Sequence, residues 1–257
     1  MNALIVAAGL GTRLRPLTDT RPKALVPVAG RPMLEHQILK LKACGFDHIV
    51  VNVHHFGQQI IDFIEENNSF GIRIDISDER GQLLDTGGAV RAAARFFTDG
   101  EPVLVLNVDI FSTAPLASLY EAHRASRADA SLLVSERTTS RYLAFDTQTS
   151  RLVGWKNTGT GAVKSPFPEI RETLLAEQPE SSAPYRWLAF AGIHIVSPTL
   201  FQVLADYGEV FSIIDFYLSA TATHTVQSLL PPADFRLVDA GKPDTLPLAE
   251  ELGRTLR

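Results

Sequence analysis

ALIVAAGLGTRLRPLTDTRPKALVPV, residues 3–28, passes in one step from an apolar run to a glycine turn and then to fixed positive charge. The run from Ala3 to Ala8 is short, lacks polar alternation and ends at a glycine. That is the pattern of a strand buried on both faces in a parallel sheet. Gly9 and Gly11 permit a sharp turn that brings backbone N–H groups close to a ligand. Thr12, Arg13 and Arg15 add a hydroxyl and two guanidinium charges, and Lys23 follows Pro22. Backbone donors beside cations are what a polyphosphate requires. The glycine pair by itself is weak, since an ordinary strand-to-loop turn also explains it. It is neither the dinucleotide fingerprint nor the Walker loop, because the further glycine or Gly-Lys-Ser is missing.

Size and composition bound the rest. The chain has 257 residues, enough for one large α/β domain, and 45% of them are hydrophobic. The formal net charge of -5 argues against general affinity for nucleic acid or an anionic membrane. Phosphate binding must then come from placed residues such as Arg13 and Lys23. The single cysteine, Cys44, excludes an intrachain disulfide, fits a reducing compartment and reads as a buried thiol in a helix. There is no basic n-region with a cleavage site, and no apolar run approaches the roughly 20 residues that span a bilayer. The expected location is cytoplasmic.

The periodicity predicts helices over 32–44, 58–67, 115–126, 198–207 and 211–220, the last capped by Ser212. Strands are expected over 48–53, 72–76, 102–107, 130–135, 142–146, 151–155, 187–196 and 236–239. Another helix is expected to start at Gly87 or Gly88, with Thr86 as its cap. A terminal helix follows Asp244. Alternating strands and helices imply right-handed crossovers and a parallel sheet. His54 and His55 would point opposite ways in an extended segment, so a shared metal is not expected. Residues 157–184 have no clear period and suggest a functional lid. Asp109 ends a strand where parallel sheets bind ligands.

Four blocks together are more specific than any one. The string from Ala7 to Val28, Leu-Asp-Thr-Gly-Gly at 84–88, Leu-Asn-Val-Asp ending at Asp109, and Asp239-Ala-Gly-Lys-Pro-Asp244 resemble the signatures of the sugar-1-phosphate nucleotidyltransferases. The resemblance implies a Rossmann-like three-layer α/β/α sandwich with a mostly parallel central sheet and a small β-rich sugar-binding insertion. It implies one domain over 1–257, in which 1–135 bind nucleotide and 136–257 bind sugar phosphate. The implied catalytic residues are Arg13, Lys23 and Asp109, and the implied Mg²⁺ ligands are Asp109 and Asp239. Nucleotide binding falls to Ala7, Ala8, Gly9, Gly11, Thr12, Arg13, Asp85, Thr86 and Gly87. The flat face of Gly87 and Gly88 would seat the base. Gly192 and Asn157 are the implied sugar contacts, although Trp155-Lys156-Asn157 departs from the family's acidic-Lys-Pro or Asn-Pro motif. The implied partners are a nucleoside triphosphate and a sugar 1-phosphate; homo-oligomerisation stays open. Among related activities the short form is most similar to uridylyl transfer onto an N-acetylated sugar phosphate. Guanylyl transfer to mannose or heptose 1-phosphate, cytidylyl transfer to phosphocholine and an inactive regulatory homologue are the alternatives.

Overall fold

The computed structural model describes residues 1–176 and 184–256. The chain begins with β1 (Asn2–Val6), the short hairpin β2 (Pro27–Val28) and β3 (Arg31–Pro32), and α1 (Met33–Ala43). Next come β4 (His48–Val53), α2 (Gly57–Glu66), β5 (Arg73–Asp78), α3 (Asp85–Ala93), β6 (Val103–Asn107), β7 (Ile110–Ser112), α4 (Leu116–Ser126) and β8 (Ala130–Ser135). The second half holds β9 (Arg141–Asp146), β10 (Leu152–Asn157), β11 (Val163–Lys164), α5 (Pro168–Ala176), β12 (Tyr185–Val196), α6 (Pro198–Ala205), α7 (Ile213–Ala220), β13 (Val226–Leu229), β14 (Leu237–Asp239) and α8 (Leu246–Thr255).

Ten strands form one mixed sheet in the order β11-β10-β9-β12-β6-β1-β4-β5, with β8 and β13 branching from β12. β1 pairs in parallel with both β4 and β6, and β4 pairs in parallel with β5. The chain winds outward from β1 through β4 and β5, then crosses to β6 on the other side. Carboxyl ends flanking such a reversal form a ligand crevice. The residues alternate as the pleat requires. Ala3, Ile5, Ile49 and Val51 meet α1, α2, α4 and α8 on one face. Leu4, Val50, Val103 and Val105 meet α3, α6 and α7 on the other. The expected three-layer sandwich is therefore present.

β12 joins the two halves. Its first residues pair antiparallel with β9, and its last pair with β6 and β8. The register slips between Phe190 and His194, where Gly192 has φ +73°, a left-handed conformation that favours glycine. A Cβ there would lie 2.9 Å from Ile110 and 3.0 Å from Asn107 Nδ2.

Several expectations are corrected. The first strand stops at Val6, not Ala8, because the Ala7 and Ala8 amides turn to donate to Asn52 Oδ1 at 2.5 and 3.3 Å. The helix expected at Gly87 or Gly88 starts at Asp85, whose own φ is +59°. Thr86 makes no side-chain cap to it; Thr86 Oγ1 accepts instead from the Ile213 amide at 3.0 Å. β7 and β13 were too short to register as periodic. Cys44 is half-buried at the C-terminal cap of α1, and Ser212 does cap α7. Within 157–184, residues Pro168–Ala176 form α5, whose Leu174 is fully buried against Val153, Val163 and Trp187. Residues 177–183 of that expected lid lie outside the described residues.

Two buried histidines set a pH limit on this fold. Burial lowers His123 to about 4 and His194 to about 3. Ser197 Oγ donates to the Ala128 carbonyl, so it accepts from His123 Nε2–H, while the Ser131 hydroxyl faces Nδ1 at 2.8 Å. The Tyr217 hydroxyl donates to His194 Nδ1 at 2.5 Å. Burial leaves the charged form of either ring without solvation. The unfolded chain takes up those protons near pH 6.5, and the folded chain does not. Stability should fall as pH drops below about 6.5, by on the order of 3 kcal/mol for His123 by pH 4. Urea midpoints at pH 7.5 and 4.5 test this; His123→Gln should shrink the difference between them.

Candidate active site

The carboxyl ends of β1, β4, β5 and β6 all open on one side of the sheet. β1 leads into the glycine turn. Gly11 has φ +66°, and a Cβ there would lie 2.9 Å from Thr18 Cγ2 and 3.0 Å from Lys23 Cβ. Thr18 Oγ1 donates to the Gly11 carbonyl at 2.8 Å. The turn is thus folded back onto the segment that carries Lys23. Leu14 is buried beneath it, while Thr12 and Arg13 remain exposed.

β6 ends at Asn107, and Asp109 follows, 6% exposed. β14 runs antiparallel to β7 with Asp239 opposite Ile110, and the Ala240 amide donates to the Asp109 carbonyl at 2.8 Å. This register brings Asp239 beside Asp109. Lys23 Nζ donates to Asp109 Oδ2 in a largely buried ion pair. Arg13 reaches Asp239 Oδ2 at 3.9 Å, and the Gly241 amide donates to Asp239 Oδ1 at 2.9 Å. Arg13, Lys23, Asp109 and Asp239 are therefore gathered from both ends of the chain.

The electrostatics follow from burial and charge. Burial pushes the Asp109 carboxyl up; the Lys23 ammonium opposes this and the Asp239 carboxylate adds to it. Burial also works against ionisation of Asp239. There the Gly241 amide, Asp109, Arg13 and Lys23 together outweigh it and hold the carboxyl below its usual range. The two carboxyls titrate as one unit.

The donor set fits a hard divalent ion. Mg²⁺ takes one or two carboxylates and keeps its remaining positions for water and phosphate. Among the described residues no group of three or more His, Cys, Asp or Glu gathers around a common point. The charged groups also pack directly on Gly241: a Cβ there would overlap Asp109 Oδ2 and lie 2.9 Å from Asp239 Oδ1 and 3.0 Å from Lys23 Nζ.

A second cavity, of about 320 Å³, lies at the ends of β1, β4 and β5. Val6, Ala8, Gly9, Asp85 and Thr86 line it together with Asn52, Glu79 and Val210. Asn52 Nδ2 donates to Glu79 Oε1 at 2.8 Å, and His54 Nδ1 donates to the Glu79 carbonyl at 2.6 Å. Burial pushes the Glu79 carboxyl up, against the Asn52 and Leu84 amides and His54. The glycines of the Leu-Asp-Thr-Gly-Gly loop are closely packed on the side where a Cβ would stand. A Cβ on Gly87 would overlap the Phe211 ring, and one on Gly88 would overlap the Glu209 carbonyl. The Gly87 amide donates to the Phe211 carbonyl at 2.8 Å. Both glycines admit the chain before α7, which places Val210 in the cavity wall.

The expected sugar contacts part company. Gly192 sits against Asn107 and Ile110, beside the carboxylates. Asn157 Oδ1 accepts from the amides of Gly159 and Thr160 and so closes its own turn. Lys156 is 5% exposed and donates to the Leu174 carbonyl at 2.9 Å, which makes it an anchor for α5. Asn52, Glu79 and Gly241 were missed. An asparagine inside the otherwise apolar run at 49–53 was the available signal for the first, since a buried polar group needs a partner.

A parallel sheet with a glycine turn, two cations and two carboxylates at its strand ends defines a nucleotide-dependent transferase of the α/β class. The model of the nucleotidyl transferase family matches residues 2–145, more than half of the chain. The chain belongs to that family, among the sugar-1-phosphate nucleotidyltransferases. It is 32% identical over 232 residues to the N-acetylmuramate alpha-1-phosphate uridylyltransferase of Caulobacter vibrioides, covering 89% of this chain and 88% of that one. It is 39% identical over 139 residues to mannose-1-phosphate guanylyltransferase 1 of Arabidopsis thaliana, covering 53% of this chain but 38% of the plant protein. A UDP-glucose pyrophosphorylase from Acinetobacter baumanii superposes with TM-score 0.74 at 18% identity, over 97% of this chain and 91% of that one. That likeness shows the fold. Among the described residues no helix is long and apolar enough to cross a membrane.

The close packing at Gly241 is open to test. Gly241→Ala should lower turnover by about two orders of magnitude, the loss typical when a transition-state charge contact is displaced. Its melting temperature should fall by only a few degrees, as overpacking of one methyl costs roughly 1–3 kcal/mol. Pyrophosphate release and thermal denaturation on the same preparation check both.

Proposed function

We propose that this protein joins UTP to an N-acetylated sugar 1-phosphate, releasing pyrophosphate. The observation that carries the reading is the meeting of Asp109 and Asp239 with Lys23 and Arg13, packed directly over Gly241. The uridylyltransferase relative, aligned along 89% of the chain, supports the choice of base and sugar.

The chemistry is a charge problem. An anionic oxygen of the sugar phosphate forms a bond to the α-phosphorus as the α–β anhydride bond breaks, and pyrophosphate leaves with that electron pair. The attacking oxygen is already ionised, so no general base is needed. Repulsion between the two anions is the barrier, and placed positive charge lowers it. Asp109 and Asp239 would hold a Mg²⁺ ion, which supplies a Lewis acid for the phosphate oxygens. On this reading Lys23 leaves Asp109 for the α-phosphate, where charge builds in the transition state. Arg13 and the amides of Gly9 to Thr12 hold the leaving pyrophosphate. Ala7 and Ala8 lie under the nucleotide, and Asp85 and Thr86 flank the base. Gly192 gives the sugar a close approach beside Asn107. Asn157 is the weakest member of the set, since its side-chain oxygen already serves its own turn. A regulatory homologue without activity has no use for four charged groups held together in this way.

Incubation with Mg²⁺, each of the four nucleoside triphosphates and a panel of sugar 1-phosphates, with pyrophosphate as the readout, tests the proposal. UTP with N-acetylmuramate 1-phosphate should turn over fastest; release from none of the pairs would end the reading. Lys23→Ala and Asp109→Ala should each lose at least about two orders of magnitude in turnover. Near-normal rates in either variant would remove that residue from the mechanism.

A further inference from the structure

α1 meets the segment that carries Asp109 with polar groups as well as apolar ones. Within a strand, successive carbonyls face opposite edges. β14 lies along one edge of β7, and the Asp109 carbonyl on that side accepts the Ala240 amide at 2.8 Å. The Ile110 and Ser112 carbonyls face the other edge, where among the described residues no strand pairs with β7. A buried carbonyl without a donor is costly to the fold. Gln37, 2% exposed in α1, supplies donors here: its Nε2 donates to the Ile110 carbonyl at 3.0 Å and to the Val108 carbonyl at 3.3 Å. Both N–H groups of that amide are thereby used, one on each side of Asp109. One turn further along α1, Lys40 Nζ donates to the Ser112 carbonyl at 2.6 Å and to Ser112 Oγ at 3.0 Å. Burial works against that ammonium and lowers it to about 8, and among the described residues no carboxylate offsets the cost. The helix holding both side chains is itself fixed, since Met33, Leu34, Ile38 and Leu41 are fully buried.

We propose that Gln37, with Lys40 as a second anchor, is a positioning residue for Asp109: α1 grips the backbone on both sides of that acid and so fixes where its carboxylate meets Asp239. This rests on the nucleotidyl-transfer reading above, in which the two acids hold Mg²⁺. β14 fixes Asp109 from one edge through the Ala240 amide, and α1 fixes it from the other. The choice of side chain suits the task. A neutral amide grips the backbone at Asp109 without drawing charge from its carboxylate, as a further cation beside Lys23 would. Mg²⁺ demands near-octahedral geometry, so an acid free to drift binds it poorly.

Gln37→Met keeps the length of the side chain and removes both donors. Ile38→Val, also in α1, is a control that loosens packing and touches neither carbonyl. Three quantities are read: the Mg²⁺ concentration for half-maximal pyrophosphate release, turnover at saturating Mg²⁺, and Mn²⁺ binding without nucleotide, followed by the electron paramagnetic resonance of the free ion. In Gln37→Met the half-maximal Mg²⁺ concentration and the Mn²⁺ dissociation constant should rise about 10- to 100-fold, the span typical when a group that orients a metal ligand is removed. Turnover should fall by about tenfold or more, as a small misplacement near the reacting atoms does. Ile38→Val should melt at a lower temperature and keep the wild-type metal dependence, because a purely structural loss reduces the folded fraction and not the affinity for the ion. A folded Gln37→Met with wild-type metal dependence overturns the proposal, and so does an equal rise in Ile38→Val. If Gln37→Met does not fold, Lys40→Met takes its place under the same criteria. Pyrophosphate release from a variant with unchanged metal dependence would end the positioning role alone and leave transfer standing. Mn²⁺ binding by the wild type without pyrophosphate release from any substrate pair would end the transfer reading, and the Mn²⁺ shift in the variant would then decide the positioning role. A wild type that neither binds Mn²⁺ nor releases pyrophosphate would end both.

Discussion

Two carboxylates held side by side repel each other, and most of the site exists to make that arrangement tolerable. Lys23 pairs with Asp109, Arg13 stands near Asp239, and the Gly241 amide donates to Asp239. The opposite pulls on the two carboxyls express this balance, one held up by burial and the other held down by donors and cations. A divalent ion and a polyphosphate would preserve the same neutrality by exchange. On the proposed function the ion would take the carboxylates and the phosphates the cations, so that little new charge would have to be buried.

That balance depends on the sheet. Asp109 follows the central strand β6, whose neighbours β1 and β12 are held by continuous ladders. Asp239 arrives on β14, a three-residue strand that among the described residues pairs with β7 alone. Six backbone positions, Ile110 to Ser112 against Leu237 to Asp239, set the separation of the two acids. The apolar contacts of α8 through Ala249 and Leu252 hold that small ladder against the main core.

Much of this was legible in residues 3–28 and at Asp109. An apolar run ending in glycines and cations has few uses, and a carboxylate at the tip of a buried strand fewer still. The sandwich followed from the alternation of strand and helix periods. What could not be read was pairing across distance. Nothing in the spacing says that β14 lies on β7, or that β13 adds beside β8. Only the resemblance linked Asp239 to Asp109. Local signals also misled where tertiary contacts changed their use. Thr86 looked like the cap of its own helix but its hydroxyl accepts from α7, and Gly87 is packed against Phe211. The segment at 157–184 looked aperiodic because α5 is only nine residues long and turns just Ile170 and Leu174 toward its apolar cluster.

The wall that Val210 completes comes from a part of the chain well beyond residue 145, where the family match ends. A fragment ending there would keep the glycine turn and Asp109, yet it would have neither the second acid nor one side of the cavity. The segment that sequence comparison isolates is thus not a portable module. The two portions of this polypeptide have to be inherited together, and a recombination event between them would have to match the Phe211 wedge to its paired glycines before any nucleotide could be gripped.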